Sequence, residues 1–346
     1  MADVLTSYDL KGAVAGGLIR EEVMDKIWDI SKIPLPFTDM IGSTTSKNEY
    51  TEWTTDELAA PDVTNAVGDG ADAVGNDVKL GVRVGNHHQI SDKVVVVSHR
   101  ADASDTIGRA KELAYQLMRR QQELKRDVEA ISLYPQVSAA DTSTASDDTG
   151  TEGKVGGLPT WIETNVANGT GGGFDTATKL TTLPTGVVAG ALSETDVRAV
   201  IDSIYQQGGD PVSMMSVPGV IGAFAQYLFT STANIATLTS DQGKSREKAA
   251  ALSAVQVFIT QHGTVRLVSN RLQQVYDAAG TAVADVFILD PEYLSMAYLE
   301  GYRTDTLAKT GLSNKRQMSV DWTLKVMNEK AQGIIFGINP LLAAEA

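Results

Sequence analysis

The chain of 346 residues contains no cysteine. A disulfide scaffold, a thiolate zinc site and a cysteine nucleophile are all excluded on that ground. Histidine is scarce: His87, His88, His99 and His262 are the full set, so imidazole chemistry has few places to occur. Proline, at 10, is sparse beside 31 glycines, which points to many turns and glycine-bearing loops. Basic residues are outnumbered 29 to 43, for a net charge of −14. Lys and Arg supply the phosphate-neutralising part of nucleic-acid affinity, so tight binding to bare DNA is disfavoured. Adsorption to an anionic membrane is disfavoured for the same reason. No run of about 18 apolar residues occurs, and Met1 to Gly12 holds no apolar secretory segment. The composition suits synthesis in a reducing cytoplasm. What is present is enough for a sizeable core: 42% of residues are hydrophobic and 21% charged. The length suits one large or two interleaved domains.

Read along the chain, residues 1–46 form an arm with apolar anchors and little that folds alone. Val23, Ile27 and Ile30 predict one amphipathic helix over Glu21 to Ile30. Ile33-Pro34-Leu35-Pro36 ends it, because the residue before a proline is pushed to extended geometry. Residues 47–100 read as a long two-stranded excursion. Tyr50 to Trp53 is a β-type run; Leu80, Val82 and Val84 alternate with Gly81, Arg83 and Gly85; Val94 to Val97 is a β-branched block. Between them Pro61 to Asp77 carries Asp62, Asp69, Asp72 and Asp77 and no basic residue, so it reads as a solvated tip. A long loop without its own core docks on something else. Tyr50 and Trp53, with large apolar area at its base, are the side chains expected to dock it on a neighbour.

Residues 104–133 give the strongest local pattern. Ile107, Ala110, Ala114, Leu117, Gln121, Leu124, Val128 and Ile131 step by three and four, and Ser104 can cap the start. This predicts one helix lying across a sheet. The pairs Arg119-Arg120 and Lys125-Arg126 interleave with Glu123, Asp127 and Glu129, which predicts a salt-bridged or intersubunit face. Residues 136–186 read as a hinge. Beyond it, Ser193-Glu194-Thr195-Asp196 is a capping motif ahead of Val197, Val200, Ile201 and Ile204, and Gly208-Gly209 stops that helix. Helix and strand signals then alternate to residue 300, giving an α+β class. Val320 to Val326 and Ile334 to Ile338, turned by Asn328-Glu329-Lys330, predict a terminal β-hairpin.

No chemistry-bearing constellation emerges. The Asp-rich tip lacks calcium-loop spacing. His87 and His88, adjacent in a strand, point to opposite faces and read as a strand-edge pair. Gly150 to Lys154 and Gly169 to Gly173 lack the phosphate-loop context, and no nucleophile elbow or zincin helix occurs.

The order of these parts resembles the tailed-phage major capsid proteins of Hong Kong 97-type fold. Four stretches carry the resemblance: Ile33-Pro34-Leu35-Pro36-Phe37-Thr38-Asp39-Met40-Ile41-Gly42; Asn86-His87-His88-Gln89-Ile90 leading into Val94 to Val97; Ile288-Leu289-Asp290-Pro291-Glu292-Tyr293; and Val320 to Val326. The resemblance implies an N-terminal arm over 1–46 and an extended β-hairpin loop over 47–100. It implies a peripheral domain with a long spine helix from 101–155 and 301–346, and an axial domain over 156–300. It implies a structural subunit, not an enzyme, that builds the icosahedral head around packaged DNA and needs no cofactor or metal. Hexamers and pentamers of one chain, scaffold, portal and decoration proteins, and weak non-specific contact with DNA follow as partners; no membrane is involved. The location implied is the virion, with assembly in the host cytoplasm. Tyr50, Trp53, Arg119, Arg120, Lys125 and Arg126 are the expected intersubunit contacts. An encapsulin-like compartment shell is the alternative within the same fold, and a cytoplasmic α+β enzyme the alternative outside it.

Overall fold

The computed structural model describes residues 34–72, 75, 80–104, 111–143, 150–230, 257–278 and 280–345. The amphipathic helix expected at 21–30 lies outside them. The strands, in chain order, are β1 (Gly42–Thr45), β2 (Tyr50–Thr55), β3 (Val82–His87), β4 (Gln89–Ser98), β5 (Val166–Ala167), β6 (Gly173–Asp175), β7 (Leu180–Thr182), β8 (Ser213–Ser216), β9 (Val257–Thr260), β10 (Gly263–Ser269), β11 (Tyr276–Ala278), β12 (Thr281–Leu289), β13 (Leu294–Thr306), β14 (Ser313–Val326) and β15 (Gly333–Ile338). Among the described residues they form a four-stranded sheet in the order β1-β13-β14-β4 and a seven-stranded sheet in the order β5-β15-β12-β8-β10-β9, with β11 on β12. Two small hairpins, β2-β3 and β6-β7, stand apart.

The four-stranded sheet follows from period-two patterning. Met318, Val320, Trp322, Leu324 and Val326 of β14 are buried together with Val95 and Val97 of β4. The register brings Val95 opposite Arg316 and Val97 opposite Asn314, so these side chains share one face. The long helix Glu112–Ser132 covers that face with Leu124 and Val128. The opposite face leaves Ile90, Val94 and Val96 exposed.

The helix itself departs from the sequence pattern. Ser98, not Ser104, is a cap, accepting from the Ala101 N–H over a short helix His99–Ala103 that ends at Ser104. Asp102 then accepts from the Leu113 N–H and so caps the long helix. Its 21 residues span about 32 Å. Ala114 and Gln121 of the expected seam are exposed, while Glu129 and Ser132 are buried. A 3.5-residue seam drifts by about 20° per heptad on a straight 3.6-residue helix, which moves the buried stripe off it.

The terminal hairpin does not form. β14 belongs to the four-stranded sheet, whereas β15 lies between β5 and β12 in the seven-stranded one. The reason is local. Gln332, fully buried, accepts from the Asp290 N–H and donates to the Asp290 carbonyl, which draws the chain onto β12. All six residues of β15 are buried, the mark of a central strand covered on both faces. Strand β13, too, runs through the expected 300/301 domain boundary. Asp290-Pro291 opens only a three-residue 3-10 turn.

Helices Glu194–Gln207 and Pro218–Thr230 cover the larger sheet. The first is built as its sequence predicts: Ser193 Oγ accepts from the Thr195 N–H, Val197, Val200, Ile201 and Ile204 are buried, and Gly208 closes it at φ 96°. A side chain at that left-handed position would be strained.

Asp285 interrupts the regular pairing of β12 with β15. It is buried, accepts from Tyr276 Oη at 2.6 Å and from the Gly337 N–H at 3.2 Å, and burial pushes its carboxyl up to about 6. A carboxyl with a higher pKa in the fold than in the unfolded chain takes up a proton on folding. Its contribution to stability therefore grows as pH falls below about 6 and is lost as pH rises through it. Asp285→Asn keeps an acceptor without the charge. It is expected to flatten the stability profile between pH 4 and 7 and to add roughly 1–2 kcal/mol at pH 8, measured by urea unfolding.

Candidate functional site

The two-stranded loop is held at its base by hydrogen bonds that the sequence motif supplies. Strands β2 and β3 pair from Tyr50 opposite His87 to Thr55 opposite Val82. Asn86, fully buried, donates to the carbonyls of Gly156 and Leu324 and accepts from the Gly156 N–H. Gln89 accepts from Gln136 Nε2 and from the Val155 N–H. His88 is buried rather than at a strand edge: its ring bridges Asp321 Oδ1 and Thr51 Oγ1, each at 2.9 Å. His87 turns the other way, onto the Tyr50 ring at 4.5 Å, and burial lowers its pKa. The pair thus splits between faces as expected, with both rings serving the joint.

Trp53 and Tyr50 dock the loop on their own subunit. The Trp53 ring lies 5.5 Å from Trp161, which stacks on Phe174 at 5.5 Å and 2°. Lys325 Nζ sits 5.8 Å from the Trp53 ring, and Trp161 Nε1 donates to the Gly156 carbonyl. Tyr50 crosses Gly85 so closely that a Cβ there would meet its ring at 2.7 Å. Glu52, beside it, pairs with Arg83 at 2.6 Å and Lys179 at 3.6 Å. Both rings make these contacts within the chain and remain half-buried.

What the chain leaves uncovered lies farther out. Leu58, Val63, Val67 and Leu80 are 92%, 97%, 76% and 86% exposed, and every described residue from Asp56 to Asp72 is exposed. Asp62 closes a local turn on Thr64. Leu58 and Leu80 are legible in the sequence as apolar residues flanking the acidic tip; nothing in their local pattern marks them as exposed.

The basic residues of the long helix part company. Arg120 pairs with Glu123, Lys125 lies over the Tyr302 ring at 5.6 Å, and Arg119 lies over Tyr115 at 5.9 Å. Arg126 faces a groove instead, with Arg271 and Leu272 on the far wall. The helix also carries a residue that no motif announced. Glu129 is fully buried, accepting from the N–H groups of Phe37 and Thr38 at 2.8 Å each and from Asn270 Nδ2 at 2.7 Å. Burial pushes its carboxyl up, against the pull of those donors. It ties the short helix Pro36–Met40, the long helix and the end of β10 at one point.

A family model described as SU10 major capsid protein matches residues 4–339. A major capsid protein of Escherichia phage Phieco32 is 40% identical over 98 residues, a stretch that makes up 28% of each chain. Among solved structures, the capsid of a native GTA particle superposes with a TM-score of 0.59 at 14% identity, covering 94% of this chain and 98% of that one. The holo-SrpI encapsulin complex of Synechococcus elongatus gives 0.50 at 10% identity, covering 92% and 94%. At such identities these structures speak for the fold, which is the Hong Kong 97-type capsid fold.

Proposed function

This chain belongs to the SU10 major capsid protein family, and we propose that it closes a shell by laying its loop on the outer sheet face of the next copy. Its role is structural, as a homo-oligomeric subunit of a capsid. One observation carries the docking scheme. The apolar side chains left exposed fall into two separate sets: Leu58, Val63, Val67 and Leu80 on the loop, and Ile90, Val94 and Val96 on the free face of β4. Neither set covers the other within one subunit, and burying both between copies removes apolar area from water at each contact. Many modest contacts of this kind reinforce one another when a shell closes.

On this reading the four-stranded sheet and the long helix are the peripheral domain. The seven-stranded body is the axial domain, with β15 assigned to it. Hexamers and pentamers form around the axial body in the host cytoplasm; portal, scaffold and decoration proteins and the enclosed DNA complete the particle. The net charge of −14 suits a wall that does not grip its contents. An encapsulin-like shell shares the fold. The nucleic-acid content of native particles separates the two readings, and the family match favours DNA.

Leu58→Asp and Val94→Asp are each expected to leave subunit stability within about 0.5 kcal/mol, because both sites are exposed. Each is expected to abolish shells in sedimentation and negative-stain micrographs. Shells at wild-type yield from both variants would sink the docking scheme. Cleavage by protease within 56–72 is expected to be fast in free subunits and slow after assembly.

A further inference from the structure

We propose that the cavity under the root of the loop receives the basic β13–β14 turn of a second copy, residues 307–312, so that copies join head to tail. The cavity, of about 470 Å³, lies between the hairpin β2-β3 and residues 161–174 and 326–330. Val84, Trp161, Phe174 and Val326, all buried or half-buried, make its floor apolar, while Asp56 and Glu163 stand exposed at its rim. Among its described lining residues Lys330 is the sole cation, and it is spent on Glu57 at 2.7 Å. Glu329 is likewise spent, on the N–H groups of Glu163 and Thr164. Among the described residues, Asp56 and Glu163 have no ion-pair partner. An apolar floor below unpaired carboxylates suits a lysine side chain, whose stem covers apolar surface while its ammonium meets the rim.

The same chain carries the complement. Lys309 sits in the β13–β14 turn, and the Lys315 ammonium folds back onto Thr310 of that turn. Arg316 follows on β14, and the His99 N–H, bonded to the Leu312 carbonyl, brings Arg100 alongside. The carboxylates nearby are engaged: Asp305 by Arg303 at 3.1 Å, Asp102 by the Leu113 N–H, and Glu112 by Gln116 Nε2. Among the described residues, Arg100, Lys309, Lys315 and Arg316 therefore have no carboxylate partner. Four unpaired cations at one end of a sheet stand out in a chain of net charge −14. Strand β14 runs from Ser313 beside this turn to Val326 in the cavity, a span of about 43 Å at the usual rise per residue. A subunit's own turn is therefore out of reach of its own cavity. Complementary surfaces at the two ends of one strand make a heterologous contact, which repeats from copy to copy and closes into a ring when the rotation allows. That the occupant is a second copy rests on the reading of this chain as a shell subunit; the contact itself is separate from the loop's seat on β4.

Two experiments on the full-length chain test the contact. Because the chain has no cysteine, Val82→Cys with Ala308→Cys puts one thiol at the cavity and one on the turn and leaves every charge in place. In assembled particles a short bis-maleimide is expected to link different copies, read as a ladder of multimers on a denaturing gel, and either single variant is expected to give none. Assembled particles without a ladder, or a link at monomer mass, overturn the proposal. Separately, Lys309→Glu with Lys315→Glu is expected to lower particle yield at physiological salt by about tenfold, each weak surface pair being repeated around the shell. Adding Asp56→Lys and Glu163→Lys is expected to bring the yield back to within about twofold of wild type, because the pairs are re-formed with signs exchanged. Wild-type yield from the first variant, or no recovery in the second, overturns the pairing. So does a first variant that loses binding to duplex DNA while assembling normally, which would assign the basic turn to phosphate. Leu58→Asp chains that form no shells yet still link through Val82→Cys and Ala308→Cys would count against the loop scheme alone. Normal shells without that link would count against this contact alone.

Discussion

Glu129→Ala is expected to destabilise the subunit by about 3–5 kcal/mol, the range seen when a buried charged partner is removed. The carboxylate is fully buried and takes hydrogen bonds from Phe37, Thr38 and Asn270. Deleting it strands three donors that no water reaches, at roughly 1–3 kcal/mol for each group left unpaired, partly recovered by relaxation. Phe37, with no exposed area, loses its positioning at the same time. Hydrogen exchange at the Phe37 and Thr38 amides should rise to the level of exposed amides, while amides of β12 and β15 stay protected until global unfolding. Glu129→Gln should fall between wild type and Ala, since one acceptor remains and an NH₂ group faces the Thr38 N–H. A Glu129→Ala subunit with wild-type urea unfolding would show that the junction carries no free energy.

A larger effect still is expected at Leu124. It is 1% exposed on the long helix and packs into the cluster that holds Trp322, Val320 and Met318. Leu124→Asp places an unpaired charge against an apolar sheet face, at a cost of several kcal/mol beyond the lost burial. Soluble, folded subunit should not be recovered. Leu117, only half-buried, gives the graded control: Leu117→Asp should cost roughly 1–2 kcal/mol, because its carboxylate can turn to water. Met118→Asp, at a site 52% exposed, should be near neutral. Equal melting temperatures for the Leu124 and Met118 variants would mean that the helix does not rest on the sheet through this stripe.

The two sheets of the shell fold were legible in the sequence to different depths. Local periodicity determined that strands run through Val82 and Val84, Val94 to Val97 and Val320 to Val326, though not how far the last two extend, and it determined the capped helix Glu194–Gln207 and the existence of the long helix, because alternation and 3.6-residue spacing are properties of contiguous residues. Composition determined the absence of thiol chemistry and the acid balance. The order of arm, loop, helix and mixed domain determined the family resemblance. Three features belonged to the tertiary structure alone. Ile334–Ile338 joined the sheet of β12 rather than pairing with Val320–Val326, because the side chain of Gln332 finds Asp290 at a sequence separation of 42. Trp53 turned into its own subunit, because Trp161 and Phe174 offer it a ring stack from beyond residue 155. Glu129, one more acidic residue on a charged helix when read in sequence, became the buried tie of the arm only because Phe37, Thr38 and Asn270 converge on it. Periodicity reports which face of an element is apolar; it carries no information on which distant element covers that face. That choice is made by polar partners far apart in the chain, whose hydrogen bonds must be satisfied once water is gone.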